Sequence, residues 1–340
     1  MNPYRIDIAV LILFFARPDH FEKVFNEVKK ARPSKLYLYQ DGPREGRPDD
    51  IAKIKACREI AEKIDWECEV HTNYQEKNLG CDPSEYISQK WMFEAEEMGI
   101  ILEDDDVPSQ SFFPFCKELL EKYKDDKRIY CISGMNHLDE YKNDIADYIF
   151  TTHQSIWGWA TWKRCIDLWD VKMPFLEDKY ALEVLSKNLP GFRDTVKTCT
   201  WHRASGIEWY ESISWAAQNL NSMLNIVPTK NLISNIGIGE NGTHGAGSIK
   251  ELPKAIRTLF NKKTFELSFP LRHPSFIIDD SLYLEKLNRV TGNGHPIVSQ
   301  IRSIESTMRR FYYANKQEKK KKILRIPKTI QLMMGKRNIH

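Results

Sequence analysis

The sequence has no apolar run long enough to cross a bilayer and no CxxC pair of cysteines. Its longest early apolar run, residues 8–16, is far short of the roughly 20 residues of a transmembrane helix and predicts a buried strand instead. The seven cysteines are widely spaced and odd in number, which argues against a disulfide framework and a structural zinc site. With unpaired thiols and no recognisable leader, we expect a reducing, cytoplasmic compartment.

Positive and negative charges are nearly balanced over the whole sequence, but residues 301–340 carry a strong positive excess. The 340 residues are 41% hydrophobic and 29% charged with a net charge of +3, which favours a folded globular protein. Residues 301–340 contain 12 Lys and Arg against two Glu, so this tail carries +10 and the preceding residues −7. The tail predicts either peripheral binding to the anionic inner face of a membrane or a solvated, disordered segment. It lacks a nucleic-acid motif, and we expect no nucleic-acid partner.

Short apolar segments alternate with amphipathic ones through the first 134 residues, which is typical of an open α/β sheet covered by helices. The predicted strands cover residues 8–16, 35–40, 66–74, 99–103 and 128–134. One helix is predicted to follow Pro18, with Asp19 as its N-cap. Further helices are predicted over residues 50–64, 84–97, 111–123, 162–169 and 212–225.

The predicted strand 99–103 ends abruptly in four adjacent acids: Glu103, Asp104, Asp105 and Asp106. Neighbouring carboxylates raise one another's pKa values unless solvent or a cation relieves the repulsion, and hard oxygen ligands suit Mn²⁺ or Mg²⁺. Ligands of open α/β sheets bind at the carboxyl ends of strands, where these acids lie. The acids therefore predict a metal site, and a solvated acidic turn is the alternative.

These acids, followed by Pro108 and Ser111-Phe112-Phe113, resemble the DXD metal motif of GT-A fold glycosyltransferases. The closest likeness is to the N-acetylglucosaminyltransferase I type and to bacterial hemolysin-like glycosyltransferases. Further segments between residues 8 and 274 match in order: Arg17-Pro18, Gln40-Asp41-Gly42, Asn78-Leu79-Gly80-Cys81, Ser133-Gly134-Met135-Asn136, Trp157-Gly158-Trp159-Ala160-Thr161-Trp162 and Asn231-Leu232-Ile233-Ser234-Asn235-Ile236-Gly237.

The resemblance implies a Rossmann-like GT-A nucleotide-sugar transferase fold with a central mixed, mostly parallel sheet. The GT-A domain would cover residues 1–275, with a nucleotide-binding half at 1–134 and an acceptor-binding half at 135–275. A C-terminal extension with the basic tail would follow at 276–340.

The resemblance also implies roles for the acids. Asp105 would coordinate a Mn²⁺ or Mg²⁺ ion that bridges the donor's diphosphate, while Glu103 and Asp104 would support the ribose and the metal shell. Asp106 falls outside the usual triplet, and we expect either a surface residue or a charge behind the ligands.

Other donor-binding roles follow in the same way. Arg17 and Asp41 lie where the family contacts the nucleotide, the first suited to phosphate and the second to a base N–H; a helix cap or a surface pair is the alternative. Residues 237–247 resemble a lid over the diphosphate, with Thr243 and His244 at its tip. An ordinary surface histidine is the alternative for His244.

On the acceptor side, the glycine between Trp157 and Trp159 predicts a close backbone approach and at least one exposed indole. These two indoles are the predicted sugar platform, although core packing is the usual role of tryptophan. The catalytic base of the resembled family is an acid beside a Trp, ahead of a helix. That position falls on Glu211, with Glu208 as the second candidate, and helix capping is the alternative role of Glu211.

Together these features predict a metal-dependent, inverting glycosyltransferase. It would move a hexose or N-acetylhexosamine from a UDP-sugar donor to a glycan or lipid-linked glycan acceptor of a bacterial surface polysaccharide. One alternative is a metal-dependent nucleotidyl or phosphoryl transferase, although the sequence lacks a GxxxxGK[ST] phosphate loop. The other is a binding module for membranes or nucleic acid that uses the basic tail.

Overall fold

The computed structural model describes residues 1–141, 144–189, 192–238, 252–291 and 296–313. The chain divides into two compact units. The larger unit contains Met1–Gly237 and Leu259–Gly294, and the smaller contains Ile238–Thr258 and His295–His340. The domain boundaries expected from the sequence stay predictions.

The described residues of the larger unit form ten strands: β1 Ile6–Phe14, β2 Pro33–Gln40, β3 Glu69–Tyr74, β4 Met98–Glu103, β5 Asp106–Pro108, β6 Ile129–Ser133, β7 Tyr148–Thr151, β8 Trp159–Trp162, β9 Leu224–Pro228 and β10 Ile233–Asn235. Eight of them form one sheet in the order β3-β2-β1-β4-β8-β6-β9-β7, and β5 pairs with β10 in a separate ribbon. In the large sheet β7 and β8 run against the other six strands. The predicted fold class, α/β with a mixed, mostly parallel sheet, is confirmed.

The helices of the larger unit are α1 Pro18–Ala31, α2 Pro48–Ala61, α3 Cys81–Ala95, α4 Phe112–Lys122, α5 Lys163–Ile166, α6 Lys179–Asn188, α7 Phe192–Ser205, α8 Tyr210–Leu220 and α10 Ser281–Thr291. The smaller unit contains α9 Lys254–Arg257 and α11 Pro296–Tyr313. Strand β1 is almost entirely apolar and buried because it lies inside the sheet, between β2 and β4. Helix α1 buries Phe21, Val24, Phe25 and Val28, a spacing that lines one helical face.

Several predicted element boundaries are wrong by two or more residues, and the structure gives a reason for three of them. Helix α1 has Arg17, not Asp19, at its N-cap, because Pro18 at the first helical position starts the helix earlier. The helix predicted over 162–169 is the single turn α5, since Trp162 belongs to β8. The helix predicted over 212–225 ends at Leu220 because β9 begins at Leu224.

The connections of the sheet change direction at the carboxyl ends of β1 and β4. From β1 the sheet continues through β2 on one side and through β4 on the other, which is the topological switch point where open α/β sheets bind ligands. Strands β1 and β4 are parallel, with Leu13 opposite Glu103, so their carboxyl ends lie side by side. The residues that follow, Arg17 and Asp104, are therefore brought together by the backbone.

The described part of the chain contains no helix that is both long and apolar enough to cross a membrane. Of the predicted basic tail, residues 301–313 belong to α11. Residues 314–340 lie outside the described ranges.

Two imidazoles pack edge to face beyond β6 and β7. The ring centroids of His137 and His153 are 5.2 Å apart at 70°. Among the described residues, His137 Nδ1 and His153 Nε2 find no hydrogen-bond partner. Burial lowers the pKa of both side chains, that of His153 to about 4. Both imidazoles are therefore neutral in the folded protein at neutral pH.

The His153 imidazole should make folding stability depend on pH. Its pKa is near 6.5 when unfolded and about 4 when folded, so below pH 6.5 the unfolded chain binds more protons and stability falls as the pH drops toward 4. Between pH 7 and 5 we expect His153 to account for up to about 2 kcal/mol of lost unfolding free energy. Urea unfolding of the wild type and His153→Asn at both pH values measures the difference. His71→Asn, at a half-exposed histidine of β3, is the control; an equal effect of both variants would contradict the prediction.

Candidate active site

Arg17 joins two of the acids that follow β4. Its Nη2 contacts Asp104 Oδ1, its Nε donates to Asp104 Oδ2 at 3.3 Å, and its Nη1 lies 2.8 Å from Asp105 Oδ2. Burial alone would lower the pKa of Arg17, but the carboxylates of Asp104 and Asp105 raise it above its ordinary value. Although Arg17 stands at the N-cap of α1, its guanidinium is a mostly buried partner of the acids rather than a surface group.

The side chain of Asn235 contacts two of the four acids, Asp105 and Asp106. Its Nδ2 donates to Asp105 Oδ1 at 3.1 Å and to Asp106 Oδ1 at 3.0 Å. This contact follows from the antiparallel pairing of β5 with β10, which sets Asn235 opposite Asp106. The backbone N–H of Ile236 also donates to the carbonyl oxygen of Asp105 at 2.9 Å. The neutral amide therefore fixes the direction of the Asp105 carboxylate without neutralising it.

Gly237 lies directly against the Asp105 carboxylate. A Cβ at this position would be 2.0 Å from Asp105 Oδ2, so Gly237→Ala must displace that oxygen. We expect the variant to fold. If Asp105 holds the divalent cation expected from the sequence, nucleotide binding in the presence of that cation should weaken about tenfold or more, because the oxygen that binds the ion is displaced. Calorimetric titration with UDP and Mn²⁺ measures the effect.

Gly46→Ala is the control for this substitution, since a Cβ at Gly46 meets nothing within 4 Å. Its positive φ of 71° adds backbone strain but no contact with the acids. If Gly237→Ala and Gly46→Ala bound UDP and Mn²⁺ equally well, Gly237 would have no part in shaping the site.

Asp106 lies behind Asp105 and is fully buried. Its Oδ2 accepts no hydrogen bond of normal geometry from the described residues. Burial, with the charge of Asp105 second, raises its pKa well above the usual range. The expectation of a surface residue is therefore wrong, and the alternative, a charge behind the ligands, stays a prediction.

Glu103 and Glu85 extend the acidic cluster. Burial and the proximity of Glu85 raise the pKa of Glu103, and burial raises that of Glu85, which accepts a 3.1 Å hydrogen bond from Gln89 Nε2. The sequence analysis missed Glu85. The sequence does contain a signal for it on one face of α3. The later positions of that face, Met92 and Phe93, are apolar, whereas its earlier positions are polar and equally buried: Ser84, Glu85, Ser88 and Gln89.

Asp41 ties the end of β2 to the start of α3. Its carboxylate accepts hydrogen bonds of 2.7 to 3.0 Å from Asn78 Nδ2 and from the backbone N–H groups of Gly42, Leu79 and Gly80. Burial raises its pKa while these bonds lower it. The segments Gln40-Asp41-Gly42 and Asn78-Leu79-Gly80-Cys81 are thus held together after the carboxyl end of β2. The direct contact of Asp41 with a nucleotide base stays a prediction.

The predicted sugar platform loses one of its two indoles, and the role of the other, Trp157, stays a prediction. Trp159 is 1% exposed in the core, because β8 lies between β4 and β6, so its role as a platform is wrong. Trp157 is half-buried, with its ring 4.9 Å from that of Phe260. The close approach predicted at Gly158 is confirmed, since its φ is +62° and an added Cβ would lie 2.5 Å from Ile233 Cδ1.

Helix α8 begins beside the acidic cluster. Tyr210 is buried, and its pKa is raised by burial and then by the nearby charges of Glu85 and Glu103. Glu211 is exposed in the first turn of α8, and Glu208 is half-buried just before the helix. Both candidate bases therefore lie within two residues of a buried phenol whose pKa responds to the charges of the acidic cluster. The predicted lid residues Thr243 and His244 lie outside the described residues.

The oxygen donors of this site fit a divalent cation that also binds a substrate. Within the described ranges, no three His, Cys, Asp or Glu side chains form a ready-made metal cage. Mg²⁺ in phosphate-transfer sites typically takes one or two carboxylates and completes its shell with substrate phosphates and water. Asp105, buried but at the carboxyl end of a strand and fixed by Arg17 and Asn235, is suited to that arrangement.

The described surface also has a groove of about 830 Å³ beside α1. Its lining includes the basic residues Arg5, Lys23, Lys29, Lys30 and Arg32, but neither Arg17 nor any of the four adjacent acids. The groove also borders the back of the β5–β10 ribbon, through Val107, Ser234 and the following Ile236, without reaching the acidic side chains.

No protein-family model and no curated protein matches the chain. Solved structures similar to it include UDP-glucose pyrophosphorylase complexed with UDP-glucose (10% identity, TM-score 0.35) and the apo enzyme (11%, 0.34); each comparison covers 68% of this chain and 93% of the other. The glycosyltransferase GlyE of Streptococcus pneumoniae TIGR4 matches at 9% identity and a TM-score of 0.27, over 66% of this chain and 55% of that chain. Similarities this weak do not transfer a function, which must be argued from the site.

Proposed function

We propose that the protein is a metal-dependent glycosyltransferase that uses a nucleotide-diphosphate sugar. The observation that carries this proposal is the meeting of Arg17, Asp105 and Asn235 at the switch point of the sheet. Nucleotides bind in such crevices in open α/β proteins. A guanidinium beside carboxylates that can hold a divalent cation is well suited to a diphosphate.

The side chains would divide the work at the donor as follows. Asp105 would hold Mn²⁺ or Mg²⁺, with Glu103 and Asp104 supporting it and the ribose. The bound ion supplies charge neutralisation for the departing diphosphate. Arg17 keeps Asp104 and Asp105 in place and offers a cation next to the phosphate position. Asp41 fixes the segment Asn78–Gly80 and with it the nucleotide side of the crevice.

A carboxylate at the start of α8 would serve the acceptor. Glu211, or Glu208, would remove the proton of the acceptor hydroxyl as its oxygen attacks the sugar carbon from the side opposite the diphosphate. That geometry inverts the configuration at the sugar carbon. The donor is proposed to be UDP-linked, and the acceptor a glycan or lipid-linked glycan of a bacterial surface polysaccharide. Attachment of the basic tail to an anionic membrane is part of the same proposal.

Nucleotide binding and product analysis test this function. Thermal unfolding of the full chain is followed with UDP, GDP and CDP, each with and without Mn²⁺; a ligand at 100 times its Kd adds about 2.7 kcal/mol of stability. UDP-glucose, UDP-galactose and their N-acetylhexosamine counterparts are then scored for metal-dependent release of UDP. Release of UDP supports a glycosyltransferase. Pyrophosphate-dependent formation of UTP would instead identify a nucleotidyl transferase, and the absence of any metal-dependent nucleotide binding would overturn the proposal.

A further inference from the structure

An exposed aromatic ring, Trp201, packs against two less exposed ones where α7 leads into α8. The Trp201 side chain is 59% exposed, and its ring centroid is 5.1 Å from that of Trp209. The imidazole of His202 stacks on Trp209 at 4.2 Å and 7°. These three residues, Trp201, His202 and Trp209, form the aromatic shelf.

Hydrogen bonds hold the shelf in one conformation. Trp209 Nε1 donates to Ser205 Oγ at 3.0 Å, and that hydroxyl donates to the carbonyl oxygen of His202 at 2.7 Å. His202 Nδ1 and Ser212 Oγ lie 2.7 Å apart. Burial lowers the pKa of His202, so the ring is neutral at neutral pH. These bonds fix Trp209 and His202, the two rings against which Trp201 packs, and such a fixed base reduces the entropy lost on binding a ligand.

Carboxylates lie next to the shelf in sequence and on the same helix start. Glu208 is half-buried directly before Trp209, and Glu211 is exposed two residues after it. A sugar ring presents C–H groups on its faces and hydroxyls at its edge, so it matches an indole beside hydrogen-bond acceptors. The nearby cations of α7, Lys197 and Arg203, are paired with Asp194 and Glu177, so they offer an anionic membrane no unpaired charge. An apolar partner would gain nothing from the carboxylates. The chemistry favours a neutral carbohydrate.

The shelf is also continuous with the candidate active site. Tyr210 follows Trp209 directly, is buried, and lies close enough to Glu85 and Glu103 for their charges to act on its phenol. Trp169 packs against Tyr210 and against Tyr86 of α3, at centroid distances of 6.3 and 5.7 Å. Packed aromatic rings therefore link the residue that follows the shelf to helix α3, which carries Glu85.

We propose that the aromatic shelf binds the acceptor as a neutral carbohydrate, with a sugar face on Trp201 and a hydroxyl near the carboxylates that start α8. As an acceptor site it rests on the proposed glycosyltransferase function. As a carbohydrate site it rests on the geometry of the shelf alone. It takes the place of the platform that the sequence predicted at Trp159.

Direct binding of saccharides tests the shelf. The full chain is titrated with lactose, cellobiose and chitobiose, and with glucuronic acid as an anionic comparison, using saturation-transfer NMR and intrinsic fluorescence. We expect Trp201→Ala to weaken binding of at least one neutral disaccharide about tenfold, since a lost aromatic stacking contact is worth about 1.4 kcal/mol. Trp201→Phe should keep part of the affinity. Tyr180→Ala, at a 76% exposed aromatic residue of α6, is the matched control.

The outcomes separate the shelf from the proposed function. If no neutral saccharide binds, or if Trp201→Ala binds them as the wild type does, the shelf proposal is overturned. Binding of phosphatidylglycerol vesicles that depends on Trp201 would overturn it in favour of a membrane surface. Because UDP and Mn²⁺ binding is measured separately, saccharide binding without any UDP binding would leave the shelf standing and remove the glycosyltransferase.

Discussion

Asp105→Asn is expected to abolish metal-dependent binding of UDP and to lower turnover at least about 10²-fold. The substitution keeps the shape of the side chain but removes the negative charge that a divalent cation requires. Substituting residues that only orient the ligands of a metal already costs about 10- to 100-fold, so loss of a direct ligand should cost more. Calorimetric titration with UDP, with and without Mn²⁺, measures the binding, and UDP release measures turnover.

The same substitution should leave the fold intact. An amide at position 105 can still accept from Asn235 through its oxygen, and the loss of the contact with Arg17 is offset by reduced repulsion from Asp104 and Asp106. We expect the free energy of unfolding without ligand to change by less than about 2 kcal/mol. A large loss of stability would make the binding result uninformative about ligation, so urea unfolding accompanies the titration.

Asp125→Asn is the matched control, because it removes the same charge from an exposed position. It should bind UDP and Mn²⁺ as the wild type does. Undiminished metal dependence in Asp105→Asn would show that Asp105 is not the ligand. If Asp104→Asn or Asp106→Asn lost metal binding instead, the site would stand with a different carboxylate as the ligand.

The sequence predicts those parts of the fold that depend on local patterns. The apolar runs of β1 and β4 predict buried strands whose carboxyl ends lie within a residue or two of the predicted positions. The placement of the acids after β4 follows because a strand inside an α/β sheet must be apolar until it leaves the core. Arg17 follows β1, which is the parallel neighbour of β4, so the same reasoning places it near the carboxyl ends of both strands.

Local sequence patterns do not show which distant residues come into contact. Asn235 meets Asp106 across 129 residues, because β10 pairs with β5, and a three-residue strand gives no detectable pattern. Trp159 was expected at the surface because its burial depends on insertion of β8 between β4 and β6, a strand order that local patterns do not reveal. Asp106 belongs to an acidic run that is typical of a solvated turn. In the structure it lies in β5, which pairs with β10, and it is fully buried.

Glu211→Gln is expected to lower sugar transfer by about 10²- to 10⁴-fold while UDP affinity stays near that of the wild type. Glutamine keeps the size and hydrogen bonding of the side chain but cannot take the proton of the acceptor hydroxyl. Because the base acts on the acceptor, metal-dependent UDP binding should be unchanged, which distinguishes this variant from Asp105→Asn. Transfer is measured as UDP released in the presence of the acceptor above the rate without it.

Glu208→Gln is the comparison that assigns the base. Glu211 is exposed at the first turn of α8, whereas Glu208 is half-buried and close enough to Tyr86 for its charge to raise the pKa of that phenol, after burial. Near-normal transfer by Glu211→Gln together with an inactive Glu208→Gln would move the role to Glu208 and keep the mechanism. If both variants transferred sugar normally, proton removal by a carboxylate at the start of α8 would be excluded, and the base would have to lie elsewhere around the crevice.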